Sequence, residues 1–141
     1  MSGISPKLPF HRDDVDGYAL TKTYHEAIRQ NLKHLVLTAP GERIMDPHFG
    51  CGLLKYLFES NSADTHSAIA AKITEQVQKY MSHVEINDIE IKNATHVWML
   101  SGTYEELPPN QLNNISENRL SVRMMYTVPA LSQTAVLSIG L

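Results

Sequence analysis

Leu120-Ser121-Val122-Arg123-Met124-Met125-Tyr126-Thr127-Val128 sets apolar residues at every second position, with Ser121, Arg123, Met125 and Thr127 between them. Side chains of a strand point alternately to opposite faces, so this stretch reads as a strand with one buried face. Pro129 ends it, and Ala135 to Ile139 reads as one more short strand. Upstream, Val84 and Ile86 alternate, then Ile89 and Ile91 alternate in the opposite phase. The slip falls at Asn87-Asp88 and predicts a β-bulge or tight bend within one strand over 84–92. Thr95 to Gly102, with Val97, Trp98, Met99 and Leu100, reads as the next strand, joined to the previous one by a hairpin at Asn93-Ala94. Residues 103–118 read as a long polar loop.

Before residue 83 the period is helical. Thr23-x-x-Glu26 fits a capping box, and Tyr24, Ile28, Leu32, Leu35 and Val36 follow as one apolar stripe. Pro40 and Gly41 stop that helix near Thr38. The Pro- and Gly-rich stretch after it contains Ile44, Met45 and Phe49, an apolar content that predicts a loop packed down on the protein. Leu53, Leu54, Leu57 and Phe58 predict a helix of two to three turns. Asn61-Ser62 offers a cap for a third helix from Ala63 to Met81, with the stripe Ile69, Ile73, Val77, Tyr80 and Met81. Pro6, Pro9 and the run Asp13-Asp14-Val15-Asp16-Gly17 make 1–20 an irregular arm. Helices first and strands afterwards favour an α+β fold, with N-terminal helices packed on a small, mainly antiparallel C-terminal sheet. The expected organisation is a single domain over 1–141: the arm 1–20, a helical half 21–82 and a sheet half 83–141.

Composition excludes several chemistries. At 141 residues a chain can bury roughly 70% of its unfolded surface and needs no metal or disulfide to fold. The single Cys51 forms no internal disulfide and no Cys-based zinc finger. The apolar runs are too short to span a membrane, and Met1 to Lys7 lack the apolar core of a secretory leader. Twelve Lys and Arg against 15 Asp and Glu give a net charge of −3, too balanced for nucleic-acid binding. The charge is uneven: 84–118 are acidic, whereas 119–141 hold only Arg119 and Arg123. Asp46, His48 and Cys51 are the best local ligand cluster, yet their spacing lacks the paired motifs of a metal site. No nucleophile elbow, phosphate loop or Walker lysine is present. Glu42, Asp46 and Glu59 are carboxylates a glycosidase would need, but Glu42 sits beside Arg43, where an ion pair would lower its pKa. The expectation is no catalytic, cofactor-binding or metal-binding residue and no enzymatic activity.

The block Leu35-Val36-Leu37-Thr38-Ala39-Pro40-Gly41-Glu42-Arg43-Ile44-Met45-Asp46-Pro47-His48-Phe49-Gly50-Cys51-Gly52-Leu53 is the most specific segment of the chain. It resembles the signature of the baseplate wedge family of contractile-tail bacteriophages, to which the type VI secretion baseplate subunit is related. Thr38, Gly41, Glu42, Arg43, Pro47, Phe49, Gly50 and Leu53 match in order, with Met45 and Gly52 inside the same block, and the looser resemblance covers about 8–130. Met81-Ser82-His83 stands where family members often carry Glu-Pro-Arg. The resemblance implies a structural subunit of the virion tail baseplate, assembled in the host cytoplasm in multiple copies, six per baseplate. It also implies contact with wedge and hub proteins and templating of the first ring of the tail sheath protein by β-strand addition. Neither nucleic acid nor membrane is expected as a partner. Leu120, Val122, Met124, Tyr126 and Val128, with Val136 and Ile139, are the expected sheath-contact edge. The segment 129–141 is expected to be dispensable to the fold. A type VI baseplate subunit is the alternative reading, and a lysozyme-like peptidoglycan hydrolase a more distant one.

Overall fold

Each change of hydrophobic period in the chain corresponds to a change of element in the computed structural model, which describes residues 3–15, 17–60, 62–93, 96–106 and 119–141. Contacts divide the chain into two compact units, Met1–His34 and Leu35–Leu141. No helix among the described residues is long and apolar enough to cross a membrane.

In the first unit the arm is more ordered than its prolines suggest. Two short antiparallel pairs form: β1 (Ser5–Pro6) with β4 (Leu20–Thr21), and β2 (Arg12–Asp13) with β3 (Gly17–Tyr18). Gln30 holds the arm at both of its amide atoms. Its Nε2 donates to the Pro6 carbonyl at 2.9 Å, and its Oε1 accepts from Leu8 N at 3.0 Å. Thr21, buried, bonds Ser5 through its hydroxyl. These contacts answer the backbone groups that a proline-rich segment leaves unpaired. Helix α1 (Tyr24–Leu37) starts at the expected cap, where Thr23 Oγ1 accepts from Glu26 N at 3.2 Å. Tyr24, the first residue of the expected stripe, is exposed; the buried face begins at Ala27.

In the second unit, α2 (Leu53–Tyr56) is a single turn rather than two or three. Its N-cap, Gly52, offers no side chain, and past Tyr56 the chain tightens into i+3 bonds, Phe58 N to Lys55 O and Glu59 N to Tyr56 O. Phe58, expected within that helix, lies past its end and faces solvent. Helix α3 (Ala63–Tyr80) begins where Ser62 Oγ accepts from Thr65 N at 3.3 Å. Its buried face holds Ile69, Ile73 and Val77 as expected, together with His66, Ala70 and Gln76.

The sheet is antiparallel throughout, in the order β7-β6-β5-β8-β9. Its strands are β5 (Glu85–Lys92), β6 (His96–Met99), β7 (Tyr104–Glu106), β8 (Ser121–Val128) and β9 (Gln133–Gly140). The pairing of β5 with β8 shifts register between Ile86 and Asp88, at the expected slip. The extra residue keeps Ile86 opposite Tyr126 and Ile89 opposite Met124, so both apolar pairs of β5 lie on one face. That face, with Val122, Tyr126, Leu137 and Ile139, is buried, and α3 packs against β5. The fold is α+β with a mainly antiparallel C-terminal sheet.

Tyr104–Glu106 is a strand where a loop was expected; the rest of that loop, 107–118, lies outside the described residues, as do residues 94 and 95 of the hairpin. Asn93 Oδ1 accepts from His96 N at 2.6 Å and closes the hairpin from its near side.

His66 is 1% exposed. Desolvation, and after it the charge of His96, lowers its pKa below the usual imidazole value near 6.5. The unfolded chain therefore binds the proton first as pH falls. The stability due to neutral His66 is complete above about pH 6.5 and declines as pH drops from there toward the lowered folded value. The urea midpoint is expected to fall between pH 7.5 and 5.5, and to fall less in His66→Gln. Equal pH slopes for the two proteins would contradict this.

Candidate assembly surface

The signature block forms a loop bound back onto the end of α1. A helix terminus leaves its last carbonyls without intrahelical partners. Here Leu35 O accepts from Cys51 N at 3.1 Å, and Thr38 O accepts from Gly52 N at 2.9 Å. Gly41 N donates to Pro47 O at 2.8 Å and closes the loop on itself, while the Glu42 carboxylate accepts from Ala39 N at 3.0 Å. Gly50 N donates to Oε1 of Gln76, a residue 2% exposed. The guanidinium of Arg43 lies 3.6 Å over the Phe49 ring, which also meets Tyr80 edge-to-face at 4.9 Å. Leu53 is fully buried.

Backbone shape sets which residues these can be. Gly50 has φ +107, and a Cβ there would stand 2.2 Å from the Thr38 carbonyl oxygen. Gly52, at φ +67, approaches the Pro40 ring.

Ile44 and Met45 differ from expectation. They are 95% and 97% exposed at the loop tip. The Gly41–Pro47 bond closes the loop from inside and turns these side chains outward, so Phe49 alone anchors the loop's apolar content.

Cys51 is buried, and burial pushes its thiol up to about 12, with Lys72 opposing and Glu75 adding less. It stays protonated and is no nucleophile at neutral pH. Among the described residues no three His, Cys, Asp or Glu side chains come together as a metal site would require.

The sheet edges also differ from expectation. Leu120, Val122, Met124, Tyr126 and Val128 are buried, but β8 lies between β5 and β9 with both sides of its backbone paired. It is an interior strand. Alternation reports which face of a strand is covered and carries no information on its place in the sheet. Among the described strands, the edges are β7 and β9. Ile139, 4% exposed, points into the core from β9, whereas Val136 is 36% exposed on the opposite face. With Leu137 also buried, β9 is part of the folded sheet, so 129–141 is not dispensable to it.

Leu120 and Leu141 exchange both backbone bonds, at 3.3 and 2.9 Å. Bonded and non-bonded pairs alternate along an antiparallel ladder, and the β8–β9 register is unbroken. Ile139, Leu137, Ala135 and Gln133 therefore bond β8. Thr134, Val136, Ser138 and Gly140 aim their N–H and C=O groups away from it, where no described strand pairs with them.

Two positions that the structure singles out escape a reading of the sequence. Gln76 holds the signature loop from 26 residues away; its position three residues after Ile73, on an apolar stripe, is the signal. Arg119 stands beyond the last rung of the sheet and is distinguished in sequence only by the acidic stretch before it.

Comparison with known proteins agrees with this architecture. No protein of curated function matches the chain. A crystal structure of a protein provisionally assigned as a tail lysozyme of Geobacter sulfurreducens is similar at 20% identity and a TM-score of 0.62, over 87% of this chain and 94% of that one. A chain in the cryo-EM structure of the anti-feeding prophage baseplate, 6-fold symmetrised, is similar at 23% identity and a TM-score of 0.64, over 87% and 82%. At these identities the two structures speak to the fold. Residues 22–130 match the family profile of the baseplate wedge protein gp25, a span that starts just before α1 and takes in the signature loop, α3 and the sheet as far as the end of β8. The chain belongs to that family and is a structural component of a contractile tail baseplate, working in association with other baseplate proteins.

Proposed function

We propose that this subunit links the inner wedge to the hub in six copies per baseplate and starts the tail sheath by accepting a sheath strand at the free edge of β9. The observation that carries the reading is the contrast between the two sheet edges. The described β7 edge, Tyr104–Glu106, contains Glu105 and Glu106, and charges of this kind protect an edge against strand addition. The β9 edge is eight residues long, and no charged residue or proline interrupts it from Gln133 to Gly140. Its outward N–H and C=O groups are the donors and acceptors that β-augmentation uses. In this reading the subunit belongs to a virion tail baseplate assembled in the host cytoplasm, and the resemblance to phage wedge subunits supports it. The chemistry is the same for a type VI baseplate.

The subunit acts without catalysis in this reading. Glu42, the carboxylate that a peptidoglycan hydrolase reading would need, is engaged with the Ala39 amide as a brace of the loop.

Disulfide trapping tests the edge. Cysteines introduced at Ser138 on β9 or Glu105 on β7 are paired with cysteines scanned along the sheath protein's terminal strands. Cross-links are expected from Ser138→Cys and not from Glu105→Cys, and the reverse pattern would refute the assignment. Native Cys51, buried and protonated, does not compete.

A further inference from the structure

The last rung to join all three strands runs through Lys92, Ser121 and Gly140 across β5, β8 and β9. Beyond it is a cavity of about 430 Å³ lined by Lys92, Asn93, Arg119, Leu120, Ser121, Gly140 and Leu141. Its lining mixes apolar Leu120 and Leu141 with polar Asn93 and Ser121, and its two charged side chains are both cations.

The two cations are not equivalent. Lys92 Nζ lies 2.9 Å from Glu90, which also faces Arg123 at 3.8 Å. Arg119 is exposed and forms no ion pair with a described residue. A guanidinium with no ion pair among the described residues, beside a groove that also presents Leu120 and Leu141, suits a carboxylate, which it can hold through two parallel hydrogen bonds.

The groove lies at the Gly140 end of β9, where a strand running beside the free edge enters or leaves. Every pairing in this sheet is antiparallel, and an added antiparallel strand begins at that end. We infer that the strand accepted by β9 carries an acidic residue just before its first paired position, and that Arg119 binds that carboxylate in the groove. This rests on the reading that β9 accepts a strand. It adds a fixed register, because a carboxylate held at one end prevents the sliding that an uncharged edge permits.

The test uses the full chain and two synthetic peptides that share an alternating Thr-Val strand, one preceded by Glu-Glu and the other by Lys-Lys. Binding is followed by fluorescence anisotropy, with amide shifts along β9 reporting the site. The Glu-Glu peptide is expected to bind about three- to fivefold tighter at low ionic strength, an advantage that shrinks with salt. Arg119→Gln should remove the preference with β9 still engaged, Arg119→Lys should keep part of it, and Arg119→Glu should reverse it. Equal binding of both peptides, or a preference unchanged in Arg119→Gln, overturns this inference. Absence of β9 shifts with either peptide instead overturns the strand-acceptance reading beneath it.

Discussion

Replacing Ser138 by proline is expected to stop sheath assembly while leaving the subunit folded. Ser138 faces solvent with its side chain and faces the free edge with its N–H, so the imino ring removes a donor that β8 does not use. Proline is tolerated on edge strands when its nitrogen points outward, and the expected stability cost is about 1 kcal/mol. An incoming strand loses a ladder bond and meets the ring. Recruitment should fall at least about tenfold, since roughly 1.4 kcal/mol suffices for that factor. Leu137→Pro is the control. Its N–H bonds Met124, and its side chain is 2% exposed, so that variant should fail to fold. Electron microscopy of tails assembled with the Ser138→Pro subunit would show baseplates without sheath. Full-length sheaths on such particles would eliminate β9 as the acceptor.

Gly50→Ala is expected to be the most destabilising single methyl that can be added to the signature loop. A Cβ at Gly50 overlaps the Thr38 carbonyl at 2.2 Å, and φ +107 is strained for any other residue. Relief requires the loop to move away from the end of α1, which breaks the bond from Gly50 N to Gln76. A buried amide oxygen without its donor costs about 1–3 kcal/mol, and the backbone strain adds about 1–2. The total is about 4 kcal/mol, measured as the difference in urea unfolding free energy. Gly41→Ala is the comparison. A Cβ there meets nothing within 4 Å, so only the strain of φ +89 remains and the loss should be smaller. Equal losses would show that the close approach to Thr38 does not govern the site.

The residues that make the elements were legible wherever the cause is local. The cap at Thr23, the stop at Pro40, the span of α3 and the bulge at Asn87 depend on near neighbours and on period. The core of β8 was legible for the same reason, since alternate residues share a face. Ile44 and Met45 were misread because apolar character gives a tendency to be buried, whereas a closed loop decides where the side chain points. Tyr104–Glu106 was missed because acidic residues disfavour strands in isolation, and pairing with β6 supplies the missing stabilisation.

By itself the sequence determined the segregation of helices from strands, the buried face of each strand and the signature loop whose matched residues carry the family resemblance. Those properties follow from side-chain period and backbone preference, which act over a few residues. Only the tertiary structure decided that β8 is interior, that β9 is an edge among the described strands and that Gln76 braces Gly50. Strand order and such long-range bonds depend on which distant segments meet, and no local pattern encodes that.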